Sequence, residues 1–396
     1  MYVQRQLAST VREALEMFPA VLITGPRQSG KTTLVKQEFG QRFAYCTFDD
    51  VLQRSFARED PVGFLNQFGD KPLILDEFQY VPGILTALKQ RIDDNREEVG
   101  HWILTGSQRF GMMKDVSESL AGRLAILELM PFCTSEEGTK GPRSLGDWLW
   151  GGGYPEPALH PRRRTMWVKA YLETYLERDV RQLTRVQDLA LFEAFVALLA
   201  SLHGQELNMQ AISRRLGISK PTVKAWIGIL ESSFVVVLLR PYFANLGKRL
   251  IKSPKVYFLD PLLVSYLTRQ PSPEGALAGA MGGALVEGLV VSEAFKGFAN
   301  AGQRVDANFW RSHDGLEVDL LLQLRRGLVP VEIKATATPM PRHCRPLERF
   351  KRLVGLSSGD QGLLVCNVET PTPLPHGNLA MPWNHFGSWL RQELDS

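Results

Sequence analysis

The chain has 396 residues, of which 44% are apolar and 22% are charged. These fractions are ordinary for globular proteins and exclude a mainly disordered, collagen-like or fibrous chain, and at about 150 residues per domain the length predicts two or three domains. The formal charge is only +4, so a basic surface for nucleic acid would have to be local.

Neither a disulfide scaffold nor a membrane anchor is indicated. The four cysteines lie far apart and form no C-x-x-C pair, which disfavours both a thiolate metal site and a disulfide framework. The N-terminus lacks the apolar core of a secretion signal, and no window of about 18 apolar residues occurs. We therefore expect a cytoplasmic protein with no membrane partner.

The first third of the chain has the pattern of an α/β domain. Apolar residues between Leu7 and Phe18 recur at helical spacing and predict an amphipathic helix. Short apolar runs then alternate with helical segments, and the predicted strands are residues 20–24, 43–48, 72–75, 102–105 and 123–129. This alternation predicts a parallel sheet flanked by helices.

Two changes of composition divide the rest of the chain. Residues 134–146 are polar and rich in glycine, which is typical of a linker, and residues 145–254 are predicted to be mainly helical. A Gly- and Ala-rich stretch at 275–283 precedes a helix and a series of short strands. The predicted domains are therefore residues 1–136, 145–272 and 284–396.

A phosphate-binding pattern follows the first predicted strand. The segment G-P-R-Q-S-G-K-T fits G-x-x-x-x-G-K-[ST] and is followed by a predicted helix. Backbone N–H groups of such a loop surround phosphate oxygens, while Lys31 would reach the β- and γ-phosphates and Thr32 would offer its hydroxyl to Mg²⁺. A glycine-rich turn without a ligand is the weaker alternative. The predicted residues for ATP and Mg²⁺ are Gly25, Pro26, Arg27, Gln28, Ser29, Gly30, Lys31, Thr32, Thr33 and Asp76.

Further catalytic candidates stand at the ends of the next strands. Asp76 and Glu77 follow an apolar strand, so Asp76 would join the Mg²⁺ shell and Glu77 would polarise the attacking water. Of the two hydroxyls after the following strand, Ser107 is preferred to Thr105 for orienting that water or sensing the γ-phosphate. An ordinary turn serine is an equally strong reading.

Arg123 is the candidate cation for transition-state charge, and Arg109 is a weaker one. Arg123 follows Gly122 just before the last predicted strand. If Arg123 serves the nucleotide of a neighbouring subunit, the enzyme must form a homo-oligomer. The alternative is a surface arginine.

These motifs resemble those of a family of bacterial and archaeal AAA+-type P-loop ATPases. The resemblance is carried by the phosphate loop and by the segments LILDEFQYVP (73–82), ILTGS (103–107), LAGRL (120–124), GGYPE (152–156), YLERDV (175–180) and KSPKVYFLD (252–260). It implies an AAA+-type domain, a helical and winged-helix domain and a C-terminal α/β restriction-endonuclease-like domain of the PD-(D/E)xK type. One departure is Asp260-Pro261-Leu262, where similar proteins often have Asp-Thr-Gly-Leu.

The predicted second domain contains a helix-turn-helix pattern with a basic wing. A helix from Met209 to Leu216 is followed by a turn at Gly217 and by a second helix capped by Ser219. Residues 205–255 carry nine basic and two acidic residues, against 37 basic and 40 acidic residues elsewhere. The side chains expected to meet DNA phosphates are Lys220, Lys224, Lys248, Arg249, Lys252 and Lys255. The alternative is a winged helix that only docks a protein partner.

Two neighbouring strand patterns in the predicted third domain suggest a nuclease centre. The period of a strand puts Glu332 and Lys334 on one face, and Asp319 on the preceding strand could meet them. Two carboxylates and a lysine can hold Mg²⁺ and position a hydroxide for attack on a phosphodiester, with Glu287 completing the site. The arrangement is similar to restriction-endonuclease-like folds, in which the acidic residues bind metal and the lysine assists the water. A structural salt bridge is the equally weighted alternative.

Three functions remain open from the sequence. The preferred one is an ATP-hydrolysing motor or switch that acts on DNA, and the second is a metal-dependent nuclease controlled by ATP. The third is a nucleotide-switched scaffold that acts on a protein partner and carries a degenerate nuclease domain.

Overall fold

The computed structural model describes residues 2–107, 120–136, 141–175, 189–242, 253–357 and 359–396. The chain divides into two compact units. The N-terminal unit comprises Met1–Phe132 with Ala299–Gln303, and the C-terminal unit comprises Cys133–Phe298 with Arg304–Ser396. Among the helices within these ranges, none combines the length and apolar character that a membrane span requires.

The N-terminal unit alternates strands and helices in the predicted way. Its elements, in chain order, are α1 (Leu7–Met17), β1 (Ala20–Thr24), α2 (Lys31–Phe39), β2 (Ala44–Thr47), α3 (Val51–Glu59), α4 (Pro61–Asn66), β3 (Leu73–Asp76), a 3-10 turn (Phe78–Tyr80), α5 (Ile84–Asp94), β4 (Trp102–Thr105) and β5 (Leu124–Glu128).

These five strands form one parallel sheet in the order β2-β3-β4-β1-β5. Strands β1, β3 and β4 are buried along their whole length, because helices cover both faces and both sets of side chains must then be apolar. The prediction of a parallel α/β sheet is confirmed. Because the five strands are parallel, their C-terminal ends lie on the same side of the sheet. The phosphate-binding segment follows β1 on that side.

The C-terminal unit begins with helices and continues with mixed α/β structure. Its elements are α6 (Leu145–Gly151), α7 (Pro155–Leu159), a 3-10 turn (Pro161–Arg163), α8 (Arg164–Tyr175), α9 (Leu189–Ser201), α10 (Met209–Leu216), α11 (Lys220–Ser232), β6 (Val236–Pro241), β7 (Lys255–Phe258), α12 (Pro261–Leu267), α13 (Pro273–Ala278), α14 (Gly282–Asn300), β8 (Ala307–Arg311), β9 (Glu317–Leu324), β10 (Gly327–Ile333), a 3-10 turn (Pro341–Cys344), α15 (Arg345–Val354), β11 (Gly362–Cys366), β12 (Thr372–Leu374), β13 (Asn378–Pro382), a 3-10 turn (Trp383–His385) and α16 (Phe386–Asp395).

An eight-stranded sheet runs through this unit in the order β12-β13-β11-β10-β9-β8-β6-β7. Strands β9 and β10 form the predicted antiparallel hairpin, with Val331 paired to Leu320. The pairing of β6 with β8 links strands on either side of the Gly- and Ala-rich stretch. The boundary between the second and third domains, at residues 272 and 284, stays a prediction. The sheet contains strands from both sides of this boundary.

Helices α10 and α11 form as predicted, and their caps explain where each begins and ends. Gly217 adopts a left-handed conformation at the end of α10, which glycine tolerates without a steric cost. The Ser219 hydroxyl accepts a hydrogen bond from the Thr222 N–H (3.1 Å) at the start of α11, where Pro221 lies in the first turn.

The departure at Asp260-Pro261-Leu262 fits its position. The Asp260 carboxylate caps α12 by accepting from the Leu262 N–H (2.9 Å) and also accepts from the Gly153 N–H (2.8 Å). Pro261 is the first residue of α12, where the missing N–H has no helical partner to lose.

Candidate functional site

The segment Gly25–Thr32 forms a loop between β1 and the N-terminus of α2. Gly25 has φ +137° and Gly30 has φ +98°, so both use backbone conformations that side chains disfavour. The Lys31 ammonium is buried and donates to the carbonyl oxygens of Gly25 (3.1 Å) and Pro26 (2.8 Å). The loop therefore holds a positive charge beside the positive end of a helix dipole, which suits a phosphate group.

The other predicted loop residues differ in exposure. Arg27 is half-buried, while Gln28 and Thr33 are exposed. Ser29 is fully buried, and its hydroxyl has no hydrogen-bond partner among the described residues. A buried hydroxyl without a partner is costly, and a phosphate oxygen in the loop would give it one.

Arg5 braces this loop from the N-terminal segment, which the sequence did not indicate. Its guanidinium donates to the carbonyl oxygens of Ser29 (2.8 Å) and Met130 (2.6 Å). The group also lies over the ring of Phe132, 4.9 Å from the centroid. Arg5 thus ties the phosphate loop to the segment that follows β5.

Asp76 ends β3 and gathers three hydroxyl groups around its carboxylate. It accepts hydrogen bonds from Thr32 (2.9 and 3.1 Å), from Tyr45 (2.6 Å) and from Thr105. Burial, together with the adjacent carboxylate, raises the pKa of the Tyr45 hydroxyl, so Tyr45 stays a donor. The Thr32 hydroxyl and the Asp76 carboxylate are oxygen ligands of the kind that Mg²⁺ takes, and they lie side by side.

Glu77 follows β3 in a left-handed conformation, with φ 57°. Its carboxylate accepts from the Ser107 hydroxyl (3.3 Å) and from the Gln79 side chain, while its N–H donates to the Thr105 hydroxyl (3.2 Å). The structure therefore brings Ser107 to Glu77 and Thr105 to Asp76. The contributions of Thr105 to Asp76 and of Gln79 to Glu77 were not foreseen.

Arg123 lies at the N-terminal ends of the strands, whereas the phosphate loop lies at their C-terminal ends. It precedes β5, whose first residue pairs with Ala20 at the start of β1. Its guanidinium makes two hydrogen bonds to the Asp93 carboxylate (2.7 and 3.0 Å), and these lower the pKa of Asp93. Arg123 does not reach the loop of its own chain, so its action on a neighbouring subunit stays a prediction. Arg109 lies outside the described residues.

In the C-terminal unit, β9 and β10 bring together Asp319, Glu332 and Lys334. The Lys334 ammonium lies 2.6 Å from Glu332 Oε1 and 3.5 Å from Asp319 Oδ2. Asp319 also accepts from the Ile333 N–H (2.8 Å). Burial, with the neighbouring carboxylates, raises the pKa of both Asp319 and Glu332. The predicted grouping of these three residues is thus present.

Glu332 has an unsatisfied oxygen in this cluster. Its side chain is 5% exposed, and Oε2 has no hydrogen-bond partner in the described part of the chain. A buried carboxylate oxygen is normally satisfied by a donor or by a metal ion. Together with Asp319, it fits the hard oxygen ligands that Mg²⁺ requires.

Glu287, on α14, joins the cluster as predicted, and Glu317 joins it unexpectedly. One carboxylate oxygen each from Glu287, Glu317 and Asp319 lie within 4.8 Å of one another. Tyr257 donates its hydroxyl to Glu287 Oε1 (2.5 Å). The period of a strand puts Glu317 on the same face as Asp319, so that signal was available in the sequence.

Lys255 is a correction to the predicted DNA surface. It is 3% exposed, and its ammonium pairs with Glu287 Oε1 (2.8 Å) and with Glu317. A lysine buried in this way cannot meet a phosphate backbone. Lys255 was predicted to be exposed because it follows other basic residues in the sequence, but all four residues of β7 are buried.

The remaining predicted DNA contacts divide into two groups. Lys220 and Lys224 are exposed on α11, close in sequence to the exposed Arg214 and Arg215 of α10. Lys248, Arg249 and Lys252 lie outside the described residues.

Comparisons with known proteins bear on both units. Family models match an AAA domain at residues 17–137, a domain of unknown function (DUF8612) at 142–274 and another (DUF4143) at 282–386. The uncharacterized proteins Mb2031c of Mycobacterium bovis and Rv2008c of Mycobacterium tuberculosis are each 31% identical over 341 residues, or 85% of this chain and 75% of the relative. Among solved structures, the Walker-type ATPase PABY2304 of Pyrococcus abyssi has a TM-score of 0.43 and 16% identity, over 68% of this chain and 96% of that one.

Proposed function

Because this chain belongs to the same family as the mycobacterial proteins Mb2031c and Rv2008c and has an AAA-type ATPase domain, we propose that it binds ATP with Mg²⁺ and hydrolyses it in order to act on DNA. The observation that carries the nucleotide site is the pairing of Thr32 with Asp76 (2.9 Å) next to the loop that encloses Lys31. Mg²⁺, when bound, supplies positive charge between the β- and γ-phosphates.

The residues of the site take different parts in this reaction. The loop amides and the Lys31 ammonium bind the phosphates, and the release of Lys31 from its two carbonyl contacts makes that ammonium available. Thr32 and Asp76 would hold Mg²⁺. Glu77 accepts a proton from the attacking water or orients it, while Ser107, 3.3 Å from the Glu77 carboxylate, fixes the position of that side chain.

DNA is proposed as the partner on the basis of α10 and α11. The turn at Gly217, the cap at Ser219 and the exposed Lys220 and Lys224 fit a helix-turn-helix of the winged type, in which the second helix enters a groove. This supports a surface that contacts phosphates. A winged helix that docks a protein partner would have the same shape. Salt-sensitive binding to DNA distinguishes the two functions, because only the DNA-binding function requires it.

One assay tests this proposal: ATP turnover by the wild type and Glu77→Gln, with and without duplex and single-stranded DNA. We expect Glu77→Gln to lose about 10²–10⁴-fold in turnover because the water loses its base, and exposed Glu59→Gln to behave as wild type. DNA should change the turnover of the wild type, and Lys220→Glu/Lys224→Glu should weaken that response. If Glu77→Gln hydrolyses ATP normally, its catalytic role is refuted; DNA without effect at low salt favours the protein-partner scaffold.

A second candidate function, metal-dependent cleavage of DNA, is favoured by the contacts among Asp319, Glu332 and Lys334. The carboxylates offer ligands to a divalent cation, and Lys334, 2.6 Å from Glu332, can help to orient the attacking water. The restriction-endonuclease-like reading of this unit rests on these contacts and on the hairpin β9–β10.

The nuclease proposal predicts Mn²⁺- or Mg²⁺-dependent nicking of plasmid DNA that Lys334→Ala abolishes. Arg352→Ala is the control, because Arg352 is exposed on α15 and has no part in the cluster. Nicking that persists unchanged in Lys334→Ala would contradict the assignment. A complete absence of nicking in the wild type with either metal would support a degenerate nuclease domain.

A further inference from the structure

Lys255 occupies an unusual position within the carboxylate cluster. The residue begins β7, and its side chain is only 4% exposed. Its ammonium lies 2.8 Å from Glu287 Oε1 and also contacts Glu317. Tyr257, on the same strand and the same face, donates to that oxygen of Glu287. The ammonium is therefore fixed between carboxylates from α14 and β9.

The position of this ammonium is one that a metal ion could otherwise take. Oxygens of Glu287, Glu317 and Asp319 lie within 4.8 Å of one another, which is a spacing that three ligands of one divalent cation can adopt. The Lys255 ammonium already pairs with two of these three carboxylates. A cation there would have to displace a buried lysine from two charged partners, which is costly.

A second candidate position for a cation involves Asp319 and Glu332. Glu332 Oε2 is buried and without a hydrogen-bond partner in the described residues, and Lys334 contacts both Glu332 and Asp319. An ion bound by Glu332 Oε2 and an Asp319 oxygen would satisfy the unpaired oxygen. The Lys334 side chain is 41% exposed, so it can move toward solvent to admit the ion, whereas the buried Lys255 side chain cannot. This ion would not compete with Lys255.

The charges of the cluster favour a single divalent cation. Glu287, Glu317, Asp319 and Glu332 contribute four negative charges when ionised, and Lys255 and Lys334 contribute two positive ones. Arg311, at the outer side, is shared between Glu317 and Glu206 and is offset by the latter. When all four carboxylates are ionised, as metal binding requires, the inner groups carry a net charge of −2, which one divalent cation neutralises and two would reverse.

We propose that the cluster binds one divalent cation, held by Asp319 and Glu332, and that the Lys255 ammonium permanently replaces the second cation of a two-metal site. Two-metal sites place their ions about 3.5–4 Å apart and share a carboxylate between them, and Asp319 belongs to both groups of carboxylates here. This inference rests on the metal site of the proposed nuclease function and specifies its stoichiometry.

The test is to count Mn²⁺ ions bound to the full-length chain by equilibrium dialysis. All proteins carry Asp76→Asn, so that the ATP site contributes no ion. We expect this parent protein to bind one Mn²⁺ per chain and Lys255→Met to bind two. Asp319→Asn should bind no Mn²⁺ tightly. Lys334→Met is the matched control, because it also removes a lysine from the cluster, but one that pairs with Asp319 and Glu332 rather than with Glu287 and Glu317, so it opens no second position and should still bind one.

The outcomes separate the two proposals. A parent that binds no Mn²⁺ refutes the metal site and the nuclease function with it. A parent that binds two ions, or a Lys255→Met protein that still binds one, overturns the role of Lys255 alone. If Lys334→Met binds a second Mn²⁺, the removal of either lysine charge is enough to allow a second ion, and the specific role of Lys255 is overturned. If Lys255→Met fails to fold, Lys255→Gln is the alternative, because its amide can hydrogen-bond to Glu287 and Glu317 during folding. The amide is neutral, so a cation displaces it without breaking an ion pair, and this protein should bind two ions.

Discussion

Asp76 is almost completely removed from solvent, yet both of its carboxylate oxygens are hydrogen-bonded. The donors are hydroxyls of Thr32, Tyr45 and Thr105, which come from α2, β2 and the end of β4. A buried carboxylate without donors would cost several kcal/mol, so these hydroxyls stabilise the charge of Asp76.

In contrast to the hydrogen-bonded carboxylate of Asp76, the buried His203 side chain is kept neutral. It is 1% exposed and packs against Tyr257 and Gly288. Its Nδ1 accepts from the Phe258 N–H (3.1 Å), and its Nε2 has no partner among the described residues. Burial lowers the pKa of His203 to about 3, because a charged imidazole would lose its hydration here.

His203 should therefore make the C-terminal unit less stable in acid, whereas the raised pKa values of Asp319 and Glu332 act in the opposite direction. His203 stays neutral when folded but gains a proton below pH 6.5 when unfolded, so between about pH 6.5 and 3 its contribution to the free energy of unfolding falls by up to about 1.4 kcal/mol per pH unit. Urea denaturation followed by tryptophan fluorescence measures this, since seven of the eight tryptophans lie in this unit. In His203→Gln the fall between pH 6.5 and 5 should be smaller; an identical pH dependence in both proteins would contradict this role.

Among the elements, those with local signals were predictable and those that depend on strand order were not. Apolar runs ended by glycine or carboxylates identified β1, β3 and β4, and the caps at Ser219 and Gly217 identified α10 and α11. In contrast, Tyr45 meets Asp76 across 31 residues, and Arg5 meets Met130 across 125. Only the order in which the strands assemble brings such pairs together, and no local pattern reports that order.

The incorrect prediction for Lys255 has the same physical cause. A basic run between two predicted strands indicated an exposed wing, but β7 joins the large sheet through β6 and all four of its residues are buried. The residue pattern of β7 has no alternation that would identify an exposed face. The carboxylates that pair with Lys255 are 32 and 62 positions further along the chain.

The junction between β1 and the phosphate loop depends on the absence of a side chain at residue 25. A Cβ atom there would lie against the Leu129 carbonyl oxygen, closer than non-bonded atoms can approach, and φ is +137°. Leu129 also donates its N–H to Thr24 (2.8 Å), so neither strand can move freely away.

Gly25→Ala should destabilise this junction by about 1–3 kcal/mol from backbone strain alone. Hydrogen exchange of the β1 and β5 amides in the full chain would report the loss, and ATP affinity should fall with it. Gly83→Ala is the control, because its added Cβ meets nothing within 4 Å and its φ of −59° suits alanine. Unchanged amide protection in Gly25→Ala would show that the loop adjusts without strain.

At the scale of the whole molecule, two sets of charged residues occupy separate units. The N-terminal unit holds the loop, Asp76 and Glu77, and the C-terminal unit holds the carboxylates, Lys255 and Lys334. In the C-terminal unit, β7 contributes a residue to the carboxylate cluster and belongs to the same sheet as β9 and β10. We therefore expect a ligand on α10 and α11 to be sensed within one compact unit rather than across a flexible linker.

We expect Lys31 to bind the phosphates of ATP. Calorimetric titration of MgATP into the full-length protein tests it directly, with Lys31→Ala and exposed Lys71→Ala as the matched pair. We predict uptake of one ATP per chain by the wild type and Lys71→Ala, and about 10–100-fold weaker binding by Lys31→Ala, as expected for losing a charged hydrogen bond of about 1.5–3 kcal/mol. No uptake by the wild type, or equal affinity in Lys31→Ala, would contradict the account.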